Sequence, residues 1–583
     1  MIWHARLKDG LNRGRVDSIA GCCGPVGKSV SLLNKQSALI LVLALLAAAV
    51  LIGHQTVPPM DRDEARFAQA SKQMLASGDY VTVRFQDELR AKKPAGIYWL
   101  QSFSAGLLGA DDIAAYRLPS LLAFLAAIWG TYHLASHLYR QPRALLAAAV
   151  LGTSLLAFAE SHLAKTDTVL MALCLAQQMA LMRIYLAVQL GRAPLERSWL
   201  WFWVCMGAAI MIKGPIAPLL GLTTIAALCL WDRSYRWLEQ LHFVRGFLVL
   251  SALTLPWAIL VTLATDGAFL DIAVRGDFLA KVKAGQESHG APIGTYIVLL
   301  GLLIWPGCIL LPRAVAQMPT LLAHAQSRFL IAWIIPFWLL IELIPTKLPH
   351  YPLPVFPALA VLLVCAVEVP LPGNLGGGKL SHKIQRYIAL TGEYLMLAVA
   401  GVLAAVVLWA AITHGGQTGG RAFSFAMICL FLLAVVLWQG ILWHRSGGIR
   451  PVAIILLVGA LFNFSLISGL LPALSRMHVS TAIDRAINSL NMNPAAIAAA
   501  GFHEPSLVFL RGSDVLLLNG SEAALFLAEA PGGLAIVENR QREVFLEMAG
   551  RLGVELLPPY QINGFNVSRG NDVLIFLYRS VSE

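Results

Sequence analysis

The dominant pattern along the chain is a series of long, uninterrupted apolar runs separated by short polar segments. A transmembrane helix needs about 20 apolar residues, whereas the strands of a transmembrane barrel alternate apolar and polar positions. The runs therefore predict a mainly α, polytopic membrane protein of about 13 spans. The predicted spans lie near residues 38–52, 118–138, 143–163, 168–189, 198–212, 214–231, 246–264, 293–312, 329–345, 351–369, 388–412, 422–443 and 451–471.

Two segments depart from this pattern, residues 54–117 and residues 474–583. In the first segment Phe67 and Met74 lie on one helical face, which predicts an amphipathic helix. The apolar stretch Pro94–Leu108 is predicted to be a helix that lies against the outer membrane face. If it were a span, the arginine-rich loops that follow would lie outside, against the positive-inside rule.

The second segment is predicted to be a small soluble α/β domain, because short apolar runs alternate with helical patterns. It contains no recognisable catalytic constellation. In chain order, its predicted elements are strand Leu507–Leu510, strand Val515–Leu518, helix Ser521–Ala530, strand Leu534–Val537, helix Arg542–Leu552 and strand Val573–Tyr578.

Composition supports the membrane class. Of the 583 residues, 57% are hydrophobic and only 13% are charged, whereas average soluble proteins have about 25% charged residues. Disordered and disulfide-rich secreted chains are thereby excluded. The net charge of +11 comes mostly from short loops on one predicted side, which places the N-terminus inside and, with an odd span number, the tail outside. Nucleic-acid binding is not expected, because no basic stripe alternates with aromatic residues.

Acidic residues at the membrane boundary are the first candidates for chemistry, since charges there are costly and commonly functional. Asp63 precedes Phe67 by one helical turn and therefore continues the apolar face. Asp61 as N-cap and Glu64 three residues later have capping-box spacing, which gives both a structural explanation. Asp167 begins a predicted span, where a helix cap is the structural alternative.

Four cations are predicted at turns on the outer face: Lys93, Arg117, Lys213 and Lys347. Lys213 lies in a turn that splits one apolar run, and Lys347 lies in a similar turn that ends at Tyr351. Lysine and arginine are the usual partners of phosphate groups. We therefore expect these residues to converge on a phosphate at the membrane surface.

No ligand spacing in the sequence demands a metal. Glu64 and His289, a histidine in an outer loop, are the candidates that could complete a divalent-metal site. A divalent metal is thus left open, and no other cofactor is predicted.

The most specific signal is the order of short motifs along the chain, which are Asp63-Glu64-Ala65-Arg66-Phe67, Lys93-Pro94, Tyr98-Trp99, Arg117-Leu118-Pro119-Ser120, Asp167, Met211-Ile212-Lys213-Gly214 and Lys347-Leu348-Pro349-His350-Tyr351. In this order they resemble the bacterial branch of the polyprenyl-phosphate-sugar glycosyltransferases, which are related to protein O-mannosyltransferases. The nearest branch is that of the lipid A 4-amino-4-deoxy-L-arabinose transferases. The resemblance extends over about residues 37–471.

The resemblance implies an enzyme that takes a sugar from a polyprenyl phosphate and inverts the anomeric centre. It implies that Asp63 is the catalytic acidic residue, with Asp167 as the second candidate. It also implies that Lys93 contacts the lipid phosphate. Relatives often have Glu directly before this lysine, where it helps to bind a metal, whereas this chain has Lys92.

On this basis the chain is divided into a basic cytoplasmic leader (1–37), a transmembrane glycosyltransferase domain (38–473) with a first periplasmic loop (54–117), and a periplasmic α/β domain (474–583). We expect it in the bacterial inner membrane, acting on a polyprenyl-phosphate-linked sugar and on an envelope acceptor such as lipid A. A protein O-glycosyltransferase with the same donor is the alternative. A secondary transporter is disfavoured, because the charges cluster on one face and no internal repeat is visible.

Overall fold

The structure is a computed structural model that describes residues 35–60, 62–139, 141–273, 290–367, 379–446 and 448–581. Up to the end of the apolar region the helices are α1 Lys35–Thr56, α2 Asp63–Ser77, α3 Gly96–Leu108, α4 Ile113–Ser136, α5 Gln141–Thr153, α6 Leu155–Ser161, α7 Asp167–Gln189, α8 Ser198–Lys213, α9 Ile216–Asp232, α10 Phe243–Ala264, α11 Ala268–Asp271, α12 Thr295–Leu303, α13 Leu311–Ala316, α14 Met318–Leu321, α15 Ala325–Leu343, α16 Phe356–Leu363, α17 Lys379–His414, α18 Gly419–Ser446, α19 Ile449–Phe464 and α20 Leu471–Ala473. Tighter or wider turns occur at Arg236–Leu241, Gly307–Leu310, Leu353–Val355, Val364–Ala366, Gly416–Thr418, Ser465–Leu470 and Ser475–Met477.

The predicted multi-pass membrane protein is confirmed at the level of its helices. Within the described ranges, eight helices are long and apolar enough to cross a membrane, and ten spans result if each of two bent helix pairs counts as one. These pairs are α5 with α6, bent by 61°, and α12 with α13, bent by 117°. Three shorter apolar helices fall at other predicted spans: Ser198–Lys213, Ile216–Asp232 and Leu353–Leu363. The total of about thirteen spans stays a prediction.

Burial separates central helices from peripheral ones. Within its most apolar window, α7 has 67% of its residues buried inside the protein, whereas α10 has 11%. Because lipid can cover apolar side chains as well as protein can, α10 faces outward and α7 packs in the centre. Helix α7 packs against α4 and α8, and this central position brings its first residue, Asp167, into the interior.

The polar segment after α1 folds into two helices and a small hairpin. Helix α2 buries Phe67, Ala70 and Met74 on one face, as the sequence predicts, and it ends at Gly78, whose φ of 71° is left-handed. Strands β1 Arg84–Phe85 and β2 Glu88–Leu89 pair in antiparallel register. The predicted helix within Pro94–Leu108 is confirmed as α3.

The C-terminal segment contains a five-stranded mixed sheet flanked by helices. Its elements are α21 Val479–Ser489, β3 Ile497–Ala500, α22 Pro505–Arg511, β4 Leu516–Leu518, α23 Gly520–Glu529, β5 Leu534–Glu538, α24 Asn539–Arg551, β6 Tyr560–Asn566 and β7 Asn571–Arg579. The strand order is β4-β3-β5-β7-β6. Strands β4, β3 and β5 are parallel, and β7 is antiparallel to both β5 and β6. Alternate residues of β3 enter different apolar clusters, since Ala499 packs on one face and Ala498 on the other.

One predicted element of this segment is wrong. Leu507–Leu510 is not a strand but lies in helix α22. A short apolar run cannot by itself distinguish a strand from a buried helix. Here Pro505 occupies the first helical turn, where its fixed φ is favourable, and Gly512, with a φ of 102°, ends the helix. The other predicted strands and helices of this segment coincide with β4, β5, β7, α23 and α24 to within a few residues.

The C-terminal sheet segment and the segment after α1 lie at the same end of the molecule. Gln86 donates through Nε2 to the carbonyl oxygens of Ser513 and Val515, at 3.0 and 2.7 Å. Helix α22 also packs against α2. Both segments must therefore lie on one side of the membrane.

This arrangement predicts the sidedness of three exposed tyrosines, Tyr80, Tyr560 and Tyr235. In a chain whose eight native cysteines are replaced, Tyr80→Cys and Tyr560→Cys should react with a membrane-impermeant thiol reagent from the same side. Tyr235→Cys should react from the other side, because five predicted spans, an odd number, lie between Tyr80 and Tyr235. Labelling of positions 80 and 560 from opposite sides would contradict this topology.

Candidate functional site

A cavity of about 350 Å³ lies where the N-terminus of α7, the turn between α8 and α9, and the segment after α15 meet. Its charged and polar lining consists of Lys92, Lys93, Asp167, Lys213, His350 and Tyr351. The rest of its lining is apolar. It consists of Pro94, Leu170, Gly214, Pro215, Ile216, Trp257, Phe269, Leu270, Ala273, Phe337, Ile341, Ile344 and Pro354. The cavity thus combines cationic groups with a large apolar wall.

Lys213 is placed by the turn that ends α8. Gly214 has φ 67° and ψ −135°, a conformation available in practice to glycine, and Pro215 then directly precedes α9. The turn directs the ammonium of Lys213 to the start of α7, where it donates a hydrogen bond to Oδ1 of Asp167. The predicted break in the apolar run is confirmed.

Asp167 belongs to a buried charge cluster. Thr166 and not Asp167 is the N-cap of α7, so the cap interpretation of Asp167 is wrong. Its Oδ2 lies 3.8 Å from Nζ of Lys165, and the same ammonium donates to Oε1 of Glu160 at 3.0 Å. Two acids and two lysines therefore lie together within the protein, which keeps the cluster electrically balanced.

His350 lies between the two carboxylates. Its Nδ1 is 3.8 Å from Oε1 of Glu160 and its Nε2 is 3.7 Å from Oδ1 of Asp167. Burial holds the pKa of His350 well below its ordinary value, although Asp167 acts in the opposite direction. The imidazole is therefore neutral at physiological pH. The neighbouring Tyr351 presents its ring to the ammonium of Lys213, with 5.5 Å between nitrogen and ring centroid.

Lys165 stays charged although it is buried. Burial alone would lower the pKa of Lys165, but the charges of Glu160 and Asp167 raise it above its ordinary value. The charge of Asp63 adds to this effect, so Asp63 lies within electrostatic range of Lys165. Asp63 itself is exposed and is the first residue of α2, outside the cavity lining.

Glu64 and Arg117 form a separate, fully buried ion pair. Arg117 donates through Nε to Oε1 of Glu64 at 2.7 Å and through Nη2 to Oε2 at 2.8 Å. Three further hydrogen bonds join its guanidinium to the carbonyl oxygens of His54, Val57 and Pro58. The structure thus places Arg117 away from the cavity.

Both oxygens of the Glu64 carboxylate accept hydrogen bonds in this arrangement. Besides Arg117, its carboxylate accepts from the backbone amides of Met60 at 2.8 Å and Ala164 at 2.9 Å. The N-cap of α2 is Arg62, which makes no side-chain cap hydrogen bond. The predicted capping box involves Asp61, which lies outside the described residues. Glu64 has no capacity left for a metal, because four donors already surround it.

The ammonium of Lys347 likewise makes contacts within the fold. Its ammonium donates to the carbonyl oxygens of Glu342 and Ile344, at 2.7 and 2.8 Å, and lies 3.8 Å from the carboxylate of Glu342. The structure therefore brings Lys93, Lys213 and Tyr351 together with Asp167, but does not bring Lys347 into the cavity lining. His289 lies outside the described residues.

Glu160, Asp167 and His350 have the geometry of a three-ligand metal group, since one donor atom from each lies within 4.8 Å of the others. Two lysines already pair with this donor set. The ammoniums of Lys165 and Lys213 already neutralise both carboxylates, and a cation would have to displace them. The set therefore fits a lysine-balanced cluster.

Three residues of this cluster were not predicted as site residues from the sequence: Glu160, Lys165 and His350. Their positions could have indicated a role, because each lies close in sequence to a predicted site residue. Glu160 and Lys165 precede Asp167 by seven and two positions, and His350 directly precedes Tyr351. In the sequence Lys165 is equally compatible with a side chain that extends toward the membrane surface. The structure shows instead that only 12% of its side chain is exposed and that its ammonium pairs with Glu160 at 3.0 Å.

Comparison with known proteins finds related sequences. A family model described as dolichyl-phosphate-mannose-protein mannosyltransferase matches residues 92–260. An undecaprenyl phosphate-alpha-4-amino-4-deoxy-L-arabinose arabinosyl transferase from Erwinia tasmaniensis is 27% identical over 422 residues, which cover 70% of this chain and 74% of that protein. A homologous transferase from Pseudomonas fluorescens is 26% identical over 415 residues, covering 70% and 69%.

Solved structures show the same fold. ArnT from Cupriavidus metallidurans in the apo state matches 93% of this chain and 98% of its own, with a TM-score of 0.69 and 18% identity. The same protein bound to undecaprenyl phosphate matches with a TM-score of 0.68 and 19% identity, covering 92% of this chain and 97% of its own. The resemblance predicted from the sequence motifs is confirmed.

The buried ion pair predicts a large stability effect. Arg117→Met leaves the carboxylate of Glu64 buried without its cation, which should destabilise the protein by about 3–5 kcal/mol. The melting temperature of the purified protein in detergent measures this. In the matched control, Arg551→Ala removes an exposed pair with Glu547 and should cost less than about 1 kcal/mol. Equal melting temperatures for the two variants would contradict the structural role of Arg117.

Proposed function

The chain is related by sequence and fold to the polyprenyl-phosphate-sugar glycosyltransferases, and we propose that it transfers a sugar from a polyprenyl phosphate to an acceptor of the bacterial envelope. The observation that carries this proposal is the cavity, which joins three lysines to an apolar wall. A sugar phosphate on a prenyl chain has the complementary chemistry, an anion attached to a long hydrocarbon.

Lys93 and Lys213 bind the phosphodiester of the donor in this proposal. Lys213 is held in place by Asp167, so its ammonium is oriented before the donor arrives. Lys92 adds positive charge beside Lys93 at the cavity. The apolar residues of α10, α11 and α15 accommodate the first part of the prenyl chain, whose remainder stays in lipid.

The reaction breaks the bond between the anomeric carbon and the phosphate oxygen. An acceptor oxygen attacks that carbon from the opposite side, which inverts the centre, and the polyprenyl phosphate leaves as a monoester. Negative charge therefore grows on the phosphate in the transition state, where oriented ammonium groups stabilise it most strongly. Lys93 and Lys213 supply these ammonium groups.

Asp63 orients the acceptor at the margin of the cavity. Its exposure leaves it accessible, and its influence on Lys165 places it near the charge cluster. If the acceptor is a hydroxyl, Asp63 removes its proton as the new bond forms. If the acceptor is a phosphate, which is already ionised, Asp63 has only the orienting role.

Glu160 and Lys165 support this chemistry indirectly, through Asp167. The carboxylate of Glu160 neutralises Lys165, so Asp167 is available to Lys213. The lysines, and not a divalent cation, carry the phosphate charge in this proposal, because Glu160 and Asp167, the carboxylates of the three-ligand group found among the described residues, are already paired.

The site is proposed to face the periplasm. The short loops on the far side are rich in arginine, which favours a cytoplasmic position, and the segments 54–117 and 474–583 contact each other on the other side. In this proposal about thirteen spans separate a cytoplasmic leader from the periplasmic C-terminal α/β domain, in the bacterial inner membrane.

The donor is proposed to be undecaprenyl phosphate 4-amino-4-deoxy-L-arabinose, and the acceptor lipid A. Mass spectrometry of lipid A from a deletion strain tests this, together with transfer of radiolabelled sugar in membranes. Loss of the aminoarabinose from lipid A supports the proposal. Loss of a sugar from envelope proteins, with unchanged lipid A, would instead support a protein O-glycosyltransferase.

The proposed phosphate site predicts a defect in use of the donor. Lys93→Met and Lys213→Met should each lower the transfer rate by about 10²-fold to 10³-fold, the usual loss when one oriented donor to a developing anion is removed. Transfer by purified enzyme in nanodiscs, as a function of donor concentration, measures this. Arg84→Met is the control, since Arg84 is an exposed cation of the same segment outside the cavity. Normal donor use by both lysine variants would place the site elsewhere.

A separate prediction concerns the charge of Asp63. Asp63→Asn keeps the shape of the side chain but removes its charge, so donor binding should persist while transfer falls by roughly 10²-fold or more. The matched control is Asp112→Asn, because Asp112 caps α4 through the amide of Ala114 and asparagine caps helices about as well. Equal transfer by the two variants would refute this role of Asp63.

A further inference from the structure

Helix α22 of the C-terminal sheet segment presents apolar side chains to two different surroundings. Leu507 packs into a cluster on one face of the sheet. Phe509, two residues later, belongs to a different cluster, whose other buried members come from outside the C-terminal segment. Phe509 is 1% exposed, so its burial depends on the contact between the two parts of the chain.

The apolar cluster that contains Phe509 consists mainly of small side chains, and we call it the socket. Four alanines from four separate segments contribute to it: Ala68 of α2, Ala105 of α3, Ala115 of α4 and Ala164 of the loop before α7. Methyl groups leave the space that an aromatic ring fills, and interiors are packed too densely for such a space to stay empty. Tyr116 closes the socket with an edge-to-face contact, with 5.6 Å between ring centroids.

Polar contacts surround this socket. The ammonium of Lys72 lies 5.3 Å from the centroid of the Phe509 ring and donates to the carbonyl oxygen of Phe509 at 3.4 Å. Lys72 is itself fixed by Asp111 at 2.7 Å. The hydrogen bonds from Gln86 to the residues after α22 lie beside it. The socket therefore has an apolar centre and a polar rim, as in a specific interface.

The socket connects directly to the proposed chemistry. Ala68 lies on α2, the helix that begins with Asp63. Ala164 immediately precedes Lys165, and its amide donates to Glu64, the neighbour of Asp63, at 2.9 Å. Phe509 thus shares one apolar cluster with the helix of the acceptor-orienting acid and with the loop of the phosphate-site charge cluster.

We propose that Phe509 is a positioning residue for the proposed glycosyl transfer. By filling the socket it fixes the loop at residues 162–166 against α2, and so fixes the separation between Asp63 and the cluster around Asp167. The C-terminal sheet segment is then a part of the active enzyme and not an appendage. The inference rests on the proposed function, since it concerns the residues assigned there.

The test compares two phenylalanines in the full-length protein. Phe509→Ala empties the socket, while Phe526→Ala empties a similar space in a cluster on the sheet that does not reach the membrane region. Both should lower the melting temperature of the C-terminal segment to a similar extent. Only Phe509→Ala should lower kcat, by about 10-fold to 100-fold, because a small misplacement of reacting groups is costly. KM for the donor should change less, since none of the socket residues lines the cavity that contains Lys93 and Lys213.

Hydrogen exchange gives a second measurement that does not depend on activity. The amide of Ala164 should exchange faster in Phe509→Ala than in wild type, and should be unchanged in Phe526→Ala. If Phe509→Ala folds poorly, Lys72→Met serves instead, because it weakens the rim at a partly exposed position. It should show the same pattern with a smaller amplitude.

The outcomes separate this inference from the proposed function. Normal kcat and normal exchange at Ala164 in Phe509→Ala would overturn the inference, as would an equal loss of kcat in Phe526→Ala. If wild type transferred no sugar, the proposed function would fail, whereas the exchange comparison would still decide whether Phe509 fixes the loop.

Discussion

The buried contact between Glu64 and Arg117 is the constraint on which the outer part of the structure depends. Arginine has five N–H donors, and Arg117 makes five hydrogen bonds, two to Glu64 and three to carbonyl oxygens at the end of α1. Glu64 also accepts from Ala164, in the loop before α7. A fully buried ion pair is tolerable only when such bonds replace its lost hydration. Because these bonds come from α1, α2, α4 and the loop, a shift of any one of them leaves a charge unpaired.

This constraint explains how a site can be held at the membrane boundary without a large soluble scaffold. Asp63 is covalently next to Glu64, and Lys165 is next to Ala164, so both groups of charges are placed by one network. Within the second group, the charges of Glu160, Lys165, Asp167 and Lys213 balance, and Lys92 and Lys93 then give the cavity a positive character. Oriented charges of this kind need no reorganisation when a phosphate develops negative charge, which is where electrostatic catalysis is most effective.

The same contacts argue against a secondary transporter. Alternating access requires one group of helices to move as a body against another. Here Arg117 ties the end of α1 to α2 and α4, while Phe509 ties α2 and α4 to the C-terminal sheet segment. A structure locked in this way favours a fixed site that receives its substrates from the membrane and from the aqueous side.

The sequence by itself determined the helices and the types of residues available for chemistry. Burial in lipid acts on each side chain independently, so apolar runs encode spans locally, and the Lys213 turn followed from its glycine and proline. The sequence could not decide between strand and helix for Leu507–Leu510, because a short apolar run suits either. Only the tertiary structure decided which charges meet. Asp167 and Lys213 are 46 positions apart, and Glu64 and Arg117 are 53 apart. Arg117 and Lys347 look like Lys93 in sequence, but of these three residues only Lys93 lines the cavity. Packing places Arg117 and Lys347 against carbonyl and carboxylate oxygens elsewhere.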